Sequence, residues 1–179
     1  FVTGLPGTSG DPSPVKAYGV YMGMKAGVKK KFGTDSLKGK KISVQGTGHV
    51  GEYLIQHLVK EGAVIYATDI YEPTLKRIAQ EYKVNIVKPN EIYDLDVDVY
   101  SPCALGATIN DDTLNRLKCK VIAGAANNQL QDEIKHGQQL VDMDITYAPD
   151  YLINAGGVIN CYFELIGYNK LLWSYHTFF

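Results

Sequence analysis

From Val50 the apolar positions fall at Val50, Tyr53, Leu54 and Leu58, with His57 on the same side. That is the i, i+3, i+4, i+7, i+8 spacing of one helix face. Gly62 closes the pattern in the manner of a glycine helix cap. A short strand, Ile42-Ser43-Val44-Gln45, precedes this helix, and a second strand over 63–68 follows it. Pro73 opens another helix, with Leu75, Ile78, Ala79 and Tyr82 on one face. The pattern predicts further strands over 97–100, 121–123 and 145–147, and helices over 111–118, 129–142 and 151–168. Upstream, residues 15–32 contain no proline and read as a helix, with Pro14 suited to its first turn. Gly19, Gly23 and Gly27 recur every four residues and share one ridge of it. Each costs about 1 kcal/mol of helix propensity, so the ridge predicts close approach to another backbone. Strands alternating with helices imply an α/β fold: a Rossmann-like, doubly wound, mostly parallel sheet with helices on both faces.

The chain has 179 residues, enough for about one domain. Residues 1–14 are rich in glycine and proline and read as a hinge loop. Residues 15–155 read as the dinucleotide-binding domain, and 156–179 as the start of a return segment. Both termini suggest a piece of a longer protein, because Phe1 falls inside a Gly/Pro motif and the last residues form an aromatic tail. The net charge of −1 argues against nucleic-acid binding, which needs a concentrated basic surface. The lysines at 29–31, 38, 40 and 41 read as a solvated helix end and loop. No apolar run reaches membrane-spanning length and no secretion signal is visible. Cys103, Cys119 and Cys161 are odd in number and widely spaced, which suggests a reducing, cytoplasmic setting without disulfides. The histidines and cysteines show no metal-ligand spacing, so no metal is expected.

The candidate chemistry lies in Gly46-Thr47-Gly48-His49-Val50-Gly51, a G-x-G-x-x-G run between a strand and a helix. Such glycines allow a tight turn, approach of a pyrophosphate to the backbone, and close packing of helix on strand. The positive end of the helix then faces the phosphates. Asp69 follows Gly46 by 23 residues, at the end of the second strand. That is the place of an acid that accepts from ribose hydroxyls. A carboxylate there disfavours a 2′-phosphate, and no arginine follows in Ile70-Tyr71, so NAD is expected over NADP.

Five segments in order carry a family resemblance: VTGLPGTSGDPSPVKAYGVYMGMKA, VQGTGHVG, SPCALGA, VIAGAANNQL and YAPDYLINAGGVIN. Over about residues 1–169 the chain resembles the cofactor domain of the glutamate, leucine, phenylalanine and valine dehydrogenases. The resemblance implies reversible NAD-dependent oxidative deamination of a small-molecule substrate, a branched-chain L-amino acid with leucine foremost. The products are a 2-oxo acid and ammonia, and the working protein is a homo-oligomer. It implies NAD contacts at Gly46, Gly48, His49, Val50, Gly51, Asp69, Ile70, Cys103, Ala104, Asn127 and Asn128. It also implies an apolar substrate pocket touching Thr3, Val158 and Cys161. The family's catalytic lysine and aspartate belong to a part of the protein before Phe1, so no residue here is given a catalytic role.

Two departures stand out. Lys16 replaces a threonine that helps hold the nicotinamide carboxamide, and residues 170–179 run as an aromatic tail where the family continues into a basic helix. His49 replaces an asparagine of the glycine loop, at a position that mainly offers its backbone amide. The residues by themselves leave two other readings open. One is a stand-alone NAD-binding module without catalysis. The other is a different Rossmann oxidoreductase, which would need its own catalytic pair, and His57, His136 and His176 supply no convincing one.

Overall fold

A computed structural model describes residues 10–165 of the chain. Six strands form one sheet: β1 (Lys41–Gln45), β2 (Val64–Thr68), β3 (Asn85–Ile86), β4 (Val99–Pro102), β5 (Val121–Ile122) and β6 (Thr146–Tyr147). Their order is β3-β2-β1-β4-β5-β6, and every neighbouring pair is parallel. The chain starts in the middle, winds to one edge, crosses over and winds to the other. Gln45 sits level with Thr68 on one side and Pro102 on the other. Three strands therefore end together where the winding reverses, and such a reversal leaves a crevice at the carboxyl ends of the strands.

The helices are α1 (Ser13–Phe32), α2 (His49–Lys60), α3 (Glu72–Tyr82), α4 (Glu133–Asp142), α5 (Asp150–Ile153) and α6 (Gly156–Leu165). Strand alternation divides the core in two. Ile42, Val44, Ile65 and Ala67 bury against Val20, Met24, Leu54, Leu58 and Ile78 of the first three helices. On the other face Tyr100 and Ile122 pack with Leu114 and with Leu140 of α4. Both faces are thus covered, as the α/β, doubly wound reading expects. Gly62 takes a left-handed φ of +83° one residue beyond the helix cap Glu61, where a side chain would be strained.

Some elements differ from their sequence pattern. The helix expected over 111–118 is a turn followed by one 3-10 turn, Leu114–Arg116. The Asn110 side chain accepts from the Asp112 and Thr113 amides, and the Thr113 hydroxyl donates to the Thr108 carbonyl. These local bonds compete with the helical ladder. The helix expected from 129 begins at Glu133, because Asp132 caps it by accepting from the Lys135 amide. The helix expected over 151–168 is broken at Asn154, which splits it into α5 and α6. Strand β3 and a 3-10 turn at Glu91–Asp94 were not in the pattern, being too short to show a period.

The glycine ridge of α1 makes the close approach it predicts. A Cβ on Gly19 would stand 2.6 Å from the Ile153 carbonyl oxygen, and one on Gly27 would stand 2.9 Å from Val121 Cγ1. Gly23 faces the Ile153 side chain. In contrast, a Cβ on Gly137 in α4 meets nothing within 4 Å. Helix propensity alone favours alanine by about 1 kcal/mol at both Gly19 and Gly137. Packing reverses the sign at Gly19, where backbone must move at a cost of about 1–3 kcal/mol. Urea unfolding should show Gly137→Ala more stable than the parent and Gly19→Ala less stable. Stabilisation by Gly19→Ala would show that the ridge is not a contact surface.

Candidate functional site

The carboxyl ends of the strands gather most of the expected site residues at one edge of the sheet. Gly46 and Gly48 follow β1, Asp69 and Ile70 follow β2, Cys103 and Ala104 follow β4, and Asn127 and Asn128 lie beyond β5. Backbone bonds stitch these ends together. The Gly46 amide donates to Thr68 (2.8 Å), Cys103 to Gln45 (2.7 Å), Ala126 to Pro102 (2.9 Å) and Ala107 to Asn128 (2.7 Å).

Each loop glycine meets a different constraint. Gly46 has φ +105°, and a Cβ there would lie 2.7 Å from that of Ala104. Gly51 packs its α-carbon against the Gly46 carbonyl, which brings α2 onto the end of β1. Gly48 precedes α2, and a Cβ there would meet nothing within 4 Å. The first amides of a helix have no intrahelical acceptor. Open space over Gly48 and the start of α2, at His49 and Val50, therefore fits an anionic diphosphate. Glu52, the acid in this first turn, is drawn aside by Arg77 in a two-point pair of 2.6 and 2.8 Å. His49 points to solvent, 3.8 Å from Asp11.

Asp69 organises the loop. Its carboxylate accepts from the Thr47 amide (2.6 Å), the Thr47 hydroxyl (3.1 Å) and the Tyr71 amide (2.9 Å). Partial burial pushes its pKa up, but the Tyr71, Thr47 and Ile70 amides outweigh that and hold it below the ordinary 3.8. A carboxylate has about four lone-pair sites, so it can still accept from a ligand hydroxyl.

Beside Asp69 lies a cleft of about 290 Å³, whose rim includes Gly46, Asp69, Ile70, Ala104 and Leu105. Ile70, 92% exposed, and Leu105, 76% exposed, give this rim two apolar side chains. The floor is polar. Tyr100 donates to the Gln45 oxygen (2.5 Å), and the Gln45 amide donates to the Tyr93 hydroxyl (2.8 Å). Thr68, only 2% exposed, has a buried hydroxyl with no partner among the described residues and also lines the cleft. A buried hydroxyl without a partner is costly, which suits a surface completed by ligand or water. The sequence reading missed this floor. Its signal was the alternation in β1, where Ile42 and Val44 face the core and Ser43 and Gln45 the other side.

The remaining expected residues divide. The Asn127 side chain accepts from Asn154 (2.6 Å), and Asn128, with φ +50°, donates its amide to Asp150 (2.8 Å). Burial pushes the Cys103 thiol pKa up despite the Ser101 hydroxyl, the opposite of what an activated thiolate needs. Lys16 stands within electrostatic reach of that thiol. Val158 is exposed on α6, with the Cys161 backbone three residues further along the same helix. Thr3 and the Cys161 side chain lie outside the described residues, as does His176. His57 stacks on Tyr21 (5.2 Å) with Tyr18 at its edge, and burial lowers its pKa. Buried His136 accepts from the Asp132 amide at Nδ1 and pairs with Asp111 at Nε2. Both histidines are packing residues. Among the described residues no group of three or more His, Cys, Asp or Glu could hold a metal ion, and no helix is long and apolar enough to cross a membrane.

The family model described as Glutamate/Leucine/Phenylalanine/Valine dehydrogenase matches residues 7–178. Leucine dehydrogenase of Bacillus subtilis is 58% identical over 172 residues, covering 94% of this chain and 47% of that protein. Leucine dehydrogenase of Thermoactinomyces intermedius is 56% identical over 173 residues, covering 95% and 47%. The crystal structure of L-tryptophan dehydrogenase from Nostoc punctiforme superposes with a TM-score of 0.91 at 41% identity, over 93% of this chain and 50% of that one. The chain therefore spans about half the length of the relatives it matches.

Asp69 gives the site a pH signature. Its folded pKa lies below the ordinary 3.8, so its contribution to stability is complete above that value and is lost as pH falls through the folded pKa. Relative to Asp69→Asn, which does not titrate, the parent should hold a constant advantage from neutral pH down to about 5 and lose it below about 3.8. Urea unfolding of both proteins across pH 3–7 measures this. An advantage that grows on acidification would contradict the bonding described.

Proposed function

Because the chain belongs to the Glutamate/Leucine/Phenylalanine/Valine dehydrogenase family, we propose that it is the cofactor-binding half of an NAD-dependent amino-acid dehydrogenase acting on leucine or a related branched-chain L-amino acid. The observation that carries this reading is the Asp69 carboxylate at the end of β2, fixed against the Thr47 amide of the glycine loop. A carboxylate suited to ribose hydroxyls beside open helix amides suited to phosphates supports the reading, because a dinucleotide requires both.

When bound, the nicotinamide dinucleotide supplies the hydride acceptor for oxidation at the amino-acid Cα. The chain's own residues bind and orient. Gly46, Gly48 and Gly51 admit the diphosphate to the backbone at His49 and Val50. Asp69 accepts from the adenosine ribose, and Ile70 faces the base. Cys103, Ala104, Asn127 and Asn128 wall the side towards the nicotinamide. The family resemblance assigns the aliphatic side chain of the substrate to a pocket that includes Thr3, Val158 and Cys161. Proton transfer and capture of the substrate carboxylate fall to residues outside this chain. A homo-oligomeric, cytoplasmic enzyme completes the reading.

Two measurements test it. NADH titrated into the purified chain should change fluorescence saturably, with NADPH binding at least ~10-fold more weakly. Equal affinity for both would overturn the preference for NAD. The chain by itself, given leucine and NAD, should form no NADH, and leucine-dependent NADH formation would overturn its role as the cofactor half alone. Saturable NADH binding by a longer protein that carries this chain and does not deaminate any amino acid would instead favour a non-catalytic NAD-binding module.

A further inference from the structure

Gly137 lies in the middle of α4, where glycine weakens a helix. A Cβ there would meet nothing within 4 Å, and its φ is not left-handed. Neither packing nor backbone conformation among the described residues calls for a glycine at this position. What the missing side chain leaves open is a cavity of about 230 Å³, between α4 and the turn from β6 into α5. Glu133, Tyr147, Asp150 and Tyr151 line it, with Gln129. Among the described residues no lysine, arginine or histidine does. Lys135, on the same helix, is turned to Asp111. The Tyr147 hydroxyl is already donated to Asp150 (2.9 Å), so it offers the cavity only lone pairs. Glu133 stands within electrostatic reach of that hydroxyl. Gln129 is 0% exposed, and its amide nitrogen donates to the Gly124 and Ala126 carbonyls at 2.8 and 2.9 Å. Neither of those residues lines the cavity, so the oxygen is the end of the amide that faces it. That buried oxygen has no partner among the described residues, a costly state for an acceptor.

We propose that this cavity binds a primary alkylammonium group. The charge lies against Glu133 and Asp150, one N–H donates to the Gln129 oxygen, and the carbon stem passes over the bare backbone of Gly137. An ammonium carries three donors and no acceptor, which matches a wall of acceptors with two carboxylates. The rings of Tyr147 and Tyr151 suit a cation further. An anion would meet both carboxylates unpaired, and an apolar molecule would leave the Gln129 oxygen unmet. An amino acid fits poorly too, because its own carboxylate sits beside its ammonium. The group can belong to a free amine or to a lysine side chain of another polypeptide segment, and the recognising chemistry is the same for both. The site is separate from the nucleotide cleft, since none of the described residues lines both cavities. Failure of either reading therefore leaves the other standing.

The probes are n-butylamine and its neutral isostere n-butanol, titrated into the whole chain at neutral pH and followed by the backbone amide signals in heteronuclear NMR spectra. The amine should shift the Gln129, Gly137 and Tyr151 amides saturably, with Kd on the order of 1 mM. The alcohol, leucine and an equal concentration of sodium chloride should not. Glu133→Gln, at an exposed position, should weaken the amine by ~3-fold. Gly137→Leu fills the cavity and should remove binding while the signals of β1 stay in place. Should that variant fail to fold, Gly137→Ala keeps the helix and should weaken the amine by at least ~3-fold. Nα-acetyl-lysine methylamide presents the same group on a peptide. Binding no weaker than that of butylamine assigns the site to a lysine side chain, and weaker binding assigns it to a free amine. The proposal is overturned if the amine shifts none of these amides, or if butanol, leucine or sodium chloride shifts them equally. It is overturned too if the amine binds Glu133→Gln and a folded Gly137 variant as tightly as the parent.

Discussion

No side chain fits at Gly46. Its α-carbon faces Ala104, its carbonyl meets Gly51, and its amide is spent on Thr68. Three elements thus converge on one residue: the end of β2, the loop after β4 and the first turn of α2. The convergence follows from topology, since β1 is the central strand from which the sheet winds both ways. A Cβ at Gly46 or Gly51 would push α2 away from the sheet or Ala104 away from β1. Either movement would separate the start of the helix from the crevice. The open surface at the start of α2 is therefore a consequence of backbone packing, and in the proposed reading the side chains around it need only supply selectivity.

In the proposed reading Asp69 supplies that selectivity, and in the structure it serves the fold. Its oxygens hold the turn after β1 to the turn after β2, so the groups that would contact phosphate and ribose are positioned by a single carboxylate. A residue with both roles cannot be exchanged freely. Removing its acceptor atoms takes away the bonds that tie the Thr47 and Tyr71 amides together.

The parts legible in the sequence were those fixed by periodicity and by backbone geometry. The face of α2, the strand at Ile42 and Val44, and the glycine loop with its acid all express rules that repeat over several residues. The glycine ridge of α1 was legible for the same reason, although its partner, Ile153, was not. What escaped depends on single side chains bonding to nearby backbone. Asn110 turns an expected helix into a turn, and the break at Asn154 divides α5 from α6. The floor of the cleft escaped because Gln45, Thr68 and Tyr93 come from three separate segments, joined by the register of β1 with β2 and by the bond from Gln45 to Tyr93.

The break before α6 has a structural use. Asp150, which opens α5, accepts from the Asn128 amide and from the Tyr147 hydroxyl. Burial and this carboxylate both raise the Tyr147 pKa, so the phenol stays protonated and remains a donor. Three residues on, Ile153 lies against the glycine ridge of α1, and Gly156 then packs on the Val15 backbone. One short helix thereby fixes the loop at Asn127 and Asn128 at its start and the direction of α6 at its end. A continuous helix from 150 to 165 could not lie in the groove of α1 and also turn at Gly156 across Val15. The exposed apolar side of this segment, Tyr151, Leu152 and Val158, is consequently held in a fixed relation to the glycine loop through α1, the helix that packs most extensively on α2. The small residues of α1 are what let α5 and the start of α6 pack this closely on the helix that also carries α2.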